Sequence, residues 1–210
     1  MRLWLITPVK PFEEGKSRLA KVLSIAERTS LNQQLLTNLL TVVQRASVCT
    51  GMMVVSQSRS VLRLAAAHGA IPILEAQKNG CVDGLNSALE QARAAAILRG
   101  AQAILMLPAD LPWIQPADVQ QLYAAAQQQR GVVIVPSRDN GTNALLLQPP
   151  DAIEFAFGPN SCTRHRQLAA AAAAPCQVLE IPNLAEDIDQ PEDLALLAIN
   201  DLLHSSDIEI

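Results

Sequence analysis

The stretch Leu3–Ala20, LWLITPVKPFEEGKSRLA, joins a short apolar run to a long polar segment around Gly15. The apolar run is typical of a strand that is buried on both faces. We expect no secretion signal here, because Pro8 interrupts the run and no small-residue cleavage site follows. The stretch therefore predicts a first strand at Leu3–Thr7, and the loop after it needs an explanation.

Outward from this stretch, short apolar runs rich in β-branched residues alternate with longer stretches of helical period. This alternation indicates βαβ units and a mainly parallel sheet. Ser24 and Glu27 have the spacing of a capping box, which starts the first long helix. The predicted strands are Leu3–Thr7, Met52–Ser56, Ile71–Leu74, Ala103–Leu107, Val132–Pro136, Ala144–Leu147 and Gln177–Ile181. Further predicted helices are Ser60–His68, Asp83–Arg99, one from Pro116 to before Gly131, Ser161–Ala173 and Pro191–Leu203. We predict an α/β fold, a three-layer α/β/α sandwich, in one domain over residues 1–203 with a frayed tail at 204–210.

Composition narrows the class of protein. Half of the 210 residues are apolar, which excludes a disordered chain. A formal charge of −4 argues against a nucleic-acid partner held by a broad basic surface. No apolar stretch reaches the roughly 18 residues that a membrane span needs, so we expect no membrane contact and a cytoplasmic protein. The sequence does not fix the oligomeric state, and a homodimer is compatible with it.

The loop after the first strand is about sixteen residues long, against a usual median of roughly 4–6. It carries Lys10, Lys16 and Arg18, which indicate a phosphate-binding loop or, alternatively, an ordinary solvated basic turn. It is not a Walker A loop, because Lys10 stands where that motif needs its first glycine, and it is not G-x-G-x-x-G. If phosphate binds here, side chains must replace the usual backbone amides.

Two acidic segments follow predicted strands or precede a helix. Asp110, in ILMLPADLPWIQP, is either a local turn cap or a ligand that Pro108 and Pro112 hold at the end of a strand. Asp187 and Asp189, in AEDIDQPEDL, point to the same side if the segment is extended, which suits a shared Mg²⁺. The alternative makes Asp189 an N-cap with Glu192 as its capping-box partner, and both interpretations can hold.

A fourth segment, NGTNALLLQPPDAIEFAFGPNSCTRHRQLA, joins a turn signal to a strand and then to a helix start. The helix start carries Arg164, His165 and Arg166 in its first turns. Basic residues are unfavourable near the positive end of a helix dipole, so they hint at an anionic ligand. A chance surface arrangement explains them equally well.

Six motifs together carry a resemblance: PVKPFEEGKSRLA, GLNSALEQA, LPADLP, NGTNALLL, FGPNSCTRH and DIDQPEDL. From Leu3 to about Leu196 the chain resembles the guanylyltransferases that prime synthesis of the deazaflavin coenzyme F-420. That family attaches GMP from GTP to 2-phospho-L-lactate, phosphoenolpyruvate or 3-phospho-D-glycerate. The resemblance implies the nucleotide-diphospho-sugar transferase fold of the molybdopterin guanylyl- and cytidylyltransferases. Their glycine-rich L-A-G-G loop is replaced here by TPVKPFEEGKSRL.

The resemblance also implies roles for individual residues. The catalytic residues that face the GTP phosphates would be Lys10, Lys16 and Arg18. The nucleotide contacts would add Pro8, Asn86 near the nucleoside, and Asp110. The ligands of a Mg²⁺ cofactor would be Asp110, Asp187 and Asp189. The contacts to the phosphorylated acid would be Thr142, Gly158 and Ser161, with Arg164 also available. Cys162 departs from the aromatic or aliphatic residue of many relatives, which leaves the acceptor open.

The implied reaction needs no general base, since a phosphate monoester is largely a dianion at neutral pH. Two other functions are compatible with the residues. A glycosyltransferase could use Asp187-Ile188-Asp189 as a D-x-D motif for a nucleotide sugar, and a non-catalytic regulator could bind a nucleotide without the three aspartates.

Overall fold

The computed structural model describes residues 1–76 and 84–194. Its strands are β1 Leu3–Pro8, β2 Cys49–Ser56, β3 Ile71–Leu74, β4 Ala103–Met106, β5 Val132–Pro136, β6 Thr142–Leu147 and β7 Cys176–Val178. Its helices are α1 Ile25–Ala46, α2 Arg59–Ala67, α3 Gly84–Leu98, α4 Pro116–Gln128, α5 Ser161–Ala171 and α6 Pro182–Ala185. A 3₁₀ helix spans Ser17–Lys21, and residues 191–194 are helical.

Every predicted strand is present, with small differences at the ends. The short α6 and the 3₁₀ helix were not predicted. Asp83, the end of the last predicted helix at Leu203 and the tail 204–210 lie outside the described residues. None of the helices within the described ranges combines the length and hydropathy that a bilayer crossing requires.

The strands form one sheet in the order β3-β2-β1-β4-β6-β5-β7. Neighbouring strands are parallel except at β6, which is antiparallel to β4 and β5. The prediction of a mainly parallel sheet is therefore confirmed. After β3 the chain returns to the far side of β1, so its winding direction reverses between β1 and β4. Such a switch point opens a crevice at the carboxyl ends of the strands.

Apolar residues cover both faces of the sheet, as the continuous apolar runs predict. Leu3 and Leu5 pack on one face with α1, α2, α4 and α6, whereas Trp4 and Ile6 pack on the other with α3 and α5. Successive side chains of a strand point to opposite faces, so one run serves both cores. The three-layer sandwich is confirmed.

Helix α1 begins with the predicted capping box. Ser24 Oγ accepts from the N–H of Glu27, and the Glu27 carboxylate accepts from the N–H of Ser24. The expected apolar stripe of α1 is buried, including Leu36, Leu39 and Leu40. This packing makes α1 a rigid support for the loop that precedes it.

A small third apolar cluster lies beyond the sheet. Leu19, Leu35 and Ile188 pack together, with Leu31 and Leu194 against them. The cluster joins the 3₁₀ helix, α1 and the segment that carries the D-I-D sequence. Two regions that are far apart in the chain, the basic loop and the acidic pair, are thereby held side by side.

Candidate active site

A cavity of about 560 Å³ opens at the carboxyl edge of the sheet. Its walls come from the loop after β1, the ends of β1, β2 and β4, the residue after β3, and the first turns of α3. Five residues of the predicted nucleotide and metal sites line it: Pro8, Lys10, Lys16, Asp110 and Asp189. The cavity thus includes the β1/β4 switch point, where the fold predicts a ligand.

The loop after β1 is anchored to α1 by hydrogen bonds and is not a solvated turn. Phe12 is buried, and its carbonyl accepts from Asn32 Nδ2 at 2.7 Å. The guanidinium of Arg28, itself buried, donates to the carbonyl of Gly15 at 2.8 Å. Sequence reasoning missed both helix residues. The available signal was their spacing, since Arg28 and Asn32 are four apart and share one face of α1.

Lys16 is the basic residue at the centre of this loop. Its backbone is left-handed, with φ 55° and ψ 40°, which costs a non-glycine residue about 1–2 kcal/mol. Its side chain is only 6% exposed, and its Nζ lies 2.5 Å from Asp110 Oδ2 and 3.3 Å from Asp189 Oδ1. Strain of this kind persists where the surroundings fix the conformation, as these two ion pairs do.

The structure brings together the three aspartates that the sequence singled out. Carboxylate oxygens of Asp110, Asp187 and Asp189 all lie within 4.8 Å of one another. Ile188 is fully buried in the third cluster, so the residues on either side of it turn outward together. Their closeness is the arrangement predicted for a shared divalent cation.

Burial and the neighbouring charges shift the pKa values of Asp187 and Lys16. Burial, and then the negative charges of Asp110 and Asp189, raise the pKa of Asp187 to about 6. Burial lowers the pKa of Lys16, but attraction to Asp110 and Asp189 outweighs it, so this pKa lies above its usual value. Arg18 adds a second positive charge through a 2.8 Å bond to Asp189 Oδ2. The cluster is therefore short of positive charge and rich in oxygen ligands, a donor set that fits Mg²⁺.

The predicted capping role of Asp189 is wrong. Asp193 Oδ2 accepts from the N–H groups of Asp189 and Gln190, at 2.8 and 2.7 Å. Asp193 therefore occupies the role assigned to Glu192, one residue later than predicted, with Gln190 at the cap. The carboxylate of Asp189 remains available for Lys16 and Arg18.

On the other side of β4, a buried polar network joins β6 to α5. Ser161 Oγ donates to Thr142 Oγ1 at 3.1 Å, and His165 Nδ1 lies 3.0 Å from the same oxygen. His165 Nε2 accepts from the N–H of Ala156, so this histidine carries its proton on Nδ1 and donates it to Thr142. Thr142 accepts two hydrogen bonds and keeps its own hydrogen for a further acceptor.

The start of α5 is not the open anion site that the basic residues suggested. The N–H of Ser161 donates to the carbonyl of Gly158, and the N–H of Cys162 donates to the carbonyl of Asn140. Asn140 of the β5–β6 hairpin thus occupies the amide of Cys162, and Gly158 occupies that of Ser161. His165 is fully buried, so it belongs to the core and not to a basic surface.

Arg164 is the residue of that basic group whose side-chain donors lack acceptors among the described residues. Its Nε and one terminal nitrogen are buried, and within the described ranges they meet no acceptor. Gly158 leaves room for the guanidinium: its φ is +120°, and a Cβ there would lie 3.0 Å from Arg164 Nη2. Buried N–H groups without an acceptor are costly, so an anionic ligand beside Gly158 would stabilise this half-buried side chain.

Asn86, one of the predicted nucleotide contacts, is buried and bonded to the backbone of Phe157. It is 8% exposed, its Oδ1 accepts from the N–H of Phe157 at 2.9 Å, and its Nδ2 donates to the carbonyl of Phe157 at 3.2 Å. These bonds attach the segment before Gly158 to α3, which lines the cavity one turn away. A contact of Asn86 with the nucleoside stays a prediction.

The network around Thr142 is tied directly to the acidic segment. The next residue, Asn143, donates to the carbonyl of Leu184 at 2.9 Å, and Arg138 of the hairpin forms an ion pair with Glu186. Glu186 immediately precedes Asp187. The residues predicted to bind the acid and those predicted to bind the metal are therefore held by one set of contacts.

With this sheet order, the chain has the fold of the nucleotide-diphospho-sugar transferases. The structure is similar to that of a protein of Desulfovibrio desulfuricans G20 classed in that group, with a TM-score of 0.74 and 16% identity. The alignment covers 94% of this chain and 87% of the other. The predicted fold is confirmed.

Within this class, the chain belongs to the family described as CofC-like guanylyl transferases, whose model matches residues 3–208. It is 41% identical to the phosphoenolpyruvate guanylyltransferase of Sphaerobacter thermophilus, over 92% of this chain and 91% of the relative. It is 32% identical to the 3-phospho-D-glycerate guanylyltransferase of Colwellia psychrerythraea, over 95% and 92% of the two chains. The resemblance carried by the six motifs is confirmed.

Replacing Lys16 by methionine should destabilise the protein in the absence of divalent cations. The change keeps most of the aliphatic stem and removes the charge between Asp110 and Asp189, at a cost of about 1–3 kcal/mol in unfolding free energy. Added Mn²⁺ should recover more stability in this variant than in the wild type. Urea unfolding with EDTA or Mn²⁺ measures both effects. Lys21→Met, at an exposed site of the 3₁₀ helix that follows Lys16, is the control, and equal stability of all three proteins in EDTA would contradict the prediction.

Acid should destabilise the network around His165. Burial, and then the charge of Arg164, lower the pKa of this imidazole from 6.5 to about 4. The unfolded chain therefore binds the proton first, and stability that is full above pH 6.5 declines by roughly 3 kcal/mol as the pH falls to about 4. His165→Asn should lack this decline, so its deficit against the wild type should shrink in acid. His68→Asn should keep the decline, and a constant deficit of His165→Asn across this pH range would refute the prediction.

Proposed function

We propose that this protein transfers GMP from GTP to the phosphate of a small three-carbon acid and releases pyrophosphate. The acid would be phosphoenolpyruvate, 3-phospho-D-glycerate or 2-phospho-L-lactate, and the product would serve biosynthesis of coenzyme F-420. The observation that carries the proposal is the meeting of Asp110, Asp187 and Asp189 with Lys16 at the edge of one cavity. Family membership supports the nucleotide and the acceptor class.

The proposed reaction forms one bond and breaks one bond at phosphorus. A phosphate oxygen of the acid attacks the α-phosphorus of GTP, and the bond from that phosphorus to the oxygen bridging to the β-phosphate breaks. Pyrophosphate leaves with the bonding pair, and no proton has to move because the attacking oxygen is already anionic. The reaction therefore needs no general base, and the work of the protein is to position and neutralise two anions.

The residues of the cavity divide this work. Lys10 and Lys16 lie on the wall beside the sheet edge, and Arg18, two residues after Lys16, pairs with the same Asp189, so all three would hold the triphosphate. A Mg²⁺ ion bound by Asp110, Asp187 and Asp189 would neutralise charge on the α-phosphate and on the leaving group. Pro8 would shape the wall at the end of β1.

Arg164, Thr142, Gly158 and Ser161 would bind the acid. The guanidinium of Arg164 would pair with its carboxylate or phosphate, and the free hydrogen of Thr142 would donate to the same group. The bonds from Ser161 and His165 would hold Thr142 in that orientation. The hydrogen-bonded network of Thr142, Ser161 and His165 is neutral and buried, so it adds directional contacts to the charge that Arg164 provides.

The reaction separates this proposal from its two rivals. A D-x-D glycosyltransferase would use a nucleotide sugar and release no pyrophosphate from GTP. A nucleotide-binding regulator would bind GTP and survive the loss of the aspartates. The identified relatives are guanylyltransferases, which favours the proposed chemistry over both.

The direct test is pyrophosphate release from GTP with Mg²⁺ and each of the three acids in turn. We expect turnover with at least one acid and none with EDTA. Asp110→Asn should lower kcat on the order of 10²–10⁴-fold, because charge stabilisation in the transition state is lost. Asp151→Asn changes an exposed aspartate and should leave the rate unchanged. Failure of GTP to react with any of the acids would sink the proposal.

The acid-binding role of Arg164 has its own test. Arg164→Met should raise KM for the acid by roughly 10–100-fold, the worth of a hydrogen-bonded charge pair, and leave KM for GTP unchanged. Arg166→Met, two residues along the same helix at an exposed site, should change neither constant. If Arg164→Met raises both KM values equally, the residue supports the site as a whole rather than the acid.

A further inference from the structure

The cavity has a charged end and a second, largely apolar end that the proposed chemistry does not use. At the charged end, over β1 and β4, stand Lys16, Asp110 and Asp189. At the other end, beside the ends of β2 and β3 and the start of α3, stand the lining residues Val55, Gln57, Glu75, Gly84, Leu85 and Ala88. The second end has the character of a binding site for a flat, uncharged group.

The sheet order sets the distance between the two ends. β3 is separated from β4 by β2 and β1. With neighbouring strands about 4.8 Å apart, the ends of β3 and β4 are roughly 14 Å apart. An extended nucleotide covers such a span from its base to its phosphates. With the phosphates at the aspartates, the base therefore lies over the ends of β2 and β3.

Glu75 is the acidic residue among the described residues that line this second end. It follows β3 directly, and its N–H donates to the carbonyl of Ser56 at 3.0 Å, which continues the pairing with β2. The side-chain amide of Gln91 fixes the backbone on both sides, since it donates to the carbonyl of Leu74 at 2.8 Å and accepts from the N–H of Ala76 at 3.0 Å. The backbone that carries this carboxylate is therefore well defined.

Space beside the carboxylate is kept open by a glycine. A Cβ on Gly84 would lie 3.9 Å from Glu75 Oε1, in van der Waals contact with it. Gly84 itself places no side chain between the backbone at the start of α3 and the plane of a bound base. Leu85 and Ala88 supply apolar surface on the same helix.

The chemistry of the four common bases then selects one of them. A carboxylate offers two coplanar acceptors and no donor. Guanine presents two adjacent donors on its pairing edge, N1–H and the 2-amino group. Adenine and cytosine place an acceptor at the ring nitrogen of that edge, and uracil has a single donor between two carbonyl groups. Only guanine meets a carboxylate with two hydrogen bonds, and such bidentate bonds to a charged group are strong.

We infer that Glu75 is the residue that determines specificity for guanine, by accepting hydrogen bonds from N1–H and the 2-amino group. The inference rests on the proposed use of a nucleoside triphosphate at this cavity. It gives a physical reason for a base preference that the sequence alone supplies only through resemblance.

The test compares GTP with its analogues ITP, which lacks the 2-amino group, and XTP, which carries a carbonyl there. Wild-type protein should prefer GTP over both. Glu75→Gln should lower kcat/KM for GTP by about 10–100-fold, with a smaller loss for ITP, because bonds to a charged acceptor are replaced. It should raise kcat/KM for XTP, since an amide can donate to the xanthine carbonyl and still accept from N1–H. The ratio of GTP to XTP use should therefore fall sharply. Glu180→Gln, at an exposed site, is the matched control and should leave the ratio unchanged.

The outcomes separate this inference from the proposed function. Equal losses with GTP, ITP and XTP would mean that Glu75 contacts the ribose or supports the fold, and an unchanged GTP to XTP ratio would mean no contact with the base. Either result overturns the inference. If the wild type turns over no GTP with any acid, the proposed function fails. Calorimetric binding of GTP and XTP to wild type and Glu75→Gln then decides the role of Glu75 by the same ratio.

Discussion

The site depends on one electrostatic constraint: three carboxylates whose oxygens lie within 4.8 Å of one another need positive charge between them. Like charges at such distances resist ionisation together, as the raised pKa of Asp187 shows. Lys16 supplies the charge from a loop that leaves the sheet at β1 and returns over the crevice. The length of this loop and the left-handed backbone of Lys16 follow from that task. A shorter connection would carry the chain to α1 without bringing an ammonium group back to Asp110.

Apolar packing places the backbone segments from which these charged groups extend. Ile188 is buried with Leu19 and Leu35, and the alternation of side chains along an extended segment then turns Asp187 and Asp189 toward the crevice. Leu19 anchors the 3₁₀ helix whose first residues follow Lys16. Removing a buried apolar group from this cluster would loosen both charged segments at once. Attraction between charges is long-ranged and weakly directional, so it could not by itself define a site of this precision.

Much of this arrangement could be predicted from the sequence because its signals are local. Apolar runs identified the strands, and the i, i+2 spacing identified Asp187 and Asp189 as neighbours. The errors arose where a long-range contact decides the outcome. His165 looks like part of a basic helix start, but the hairpin that covers this end of α5 buries it, and no local pattern encodes that packing. Arg28 and Asn32 look like surface residues of an amphipathic helix, yet the loop after β1 folds over them and takes both as donors to its carbonyl groups.

The single glycine of the loop serves a different purpose from the glycines of a phosphate-binding motif. In such motifs glycine lets backbone amides approach the phosphate closely. Here a Cβ on Gly15 would lie 2.5 Å from Asn32 Nδ2, so the glycine makes room for the contact with α1. Backbone carbonyl groups, not amides, face that helix, and the adjacent Lys16 turns its side chain toward the crevice. The loop thus uses its backbone for anchorage and presents its cationic side chains to the crevice. The charges lie at the ends of flexible stems, so the packing beneath the loop and the ion pairs with Asp110 and Asp189 together decide where Lys16 and Arg18 point.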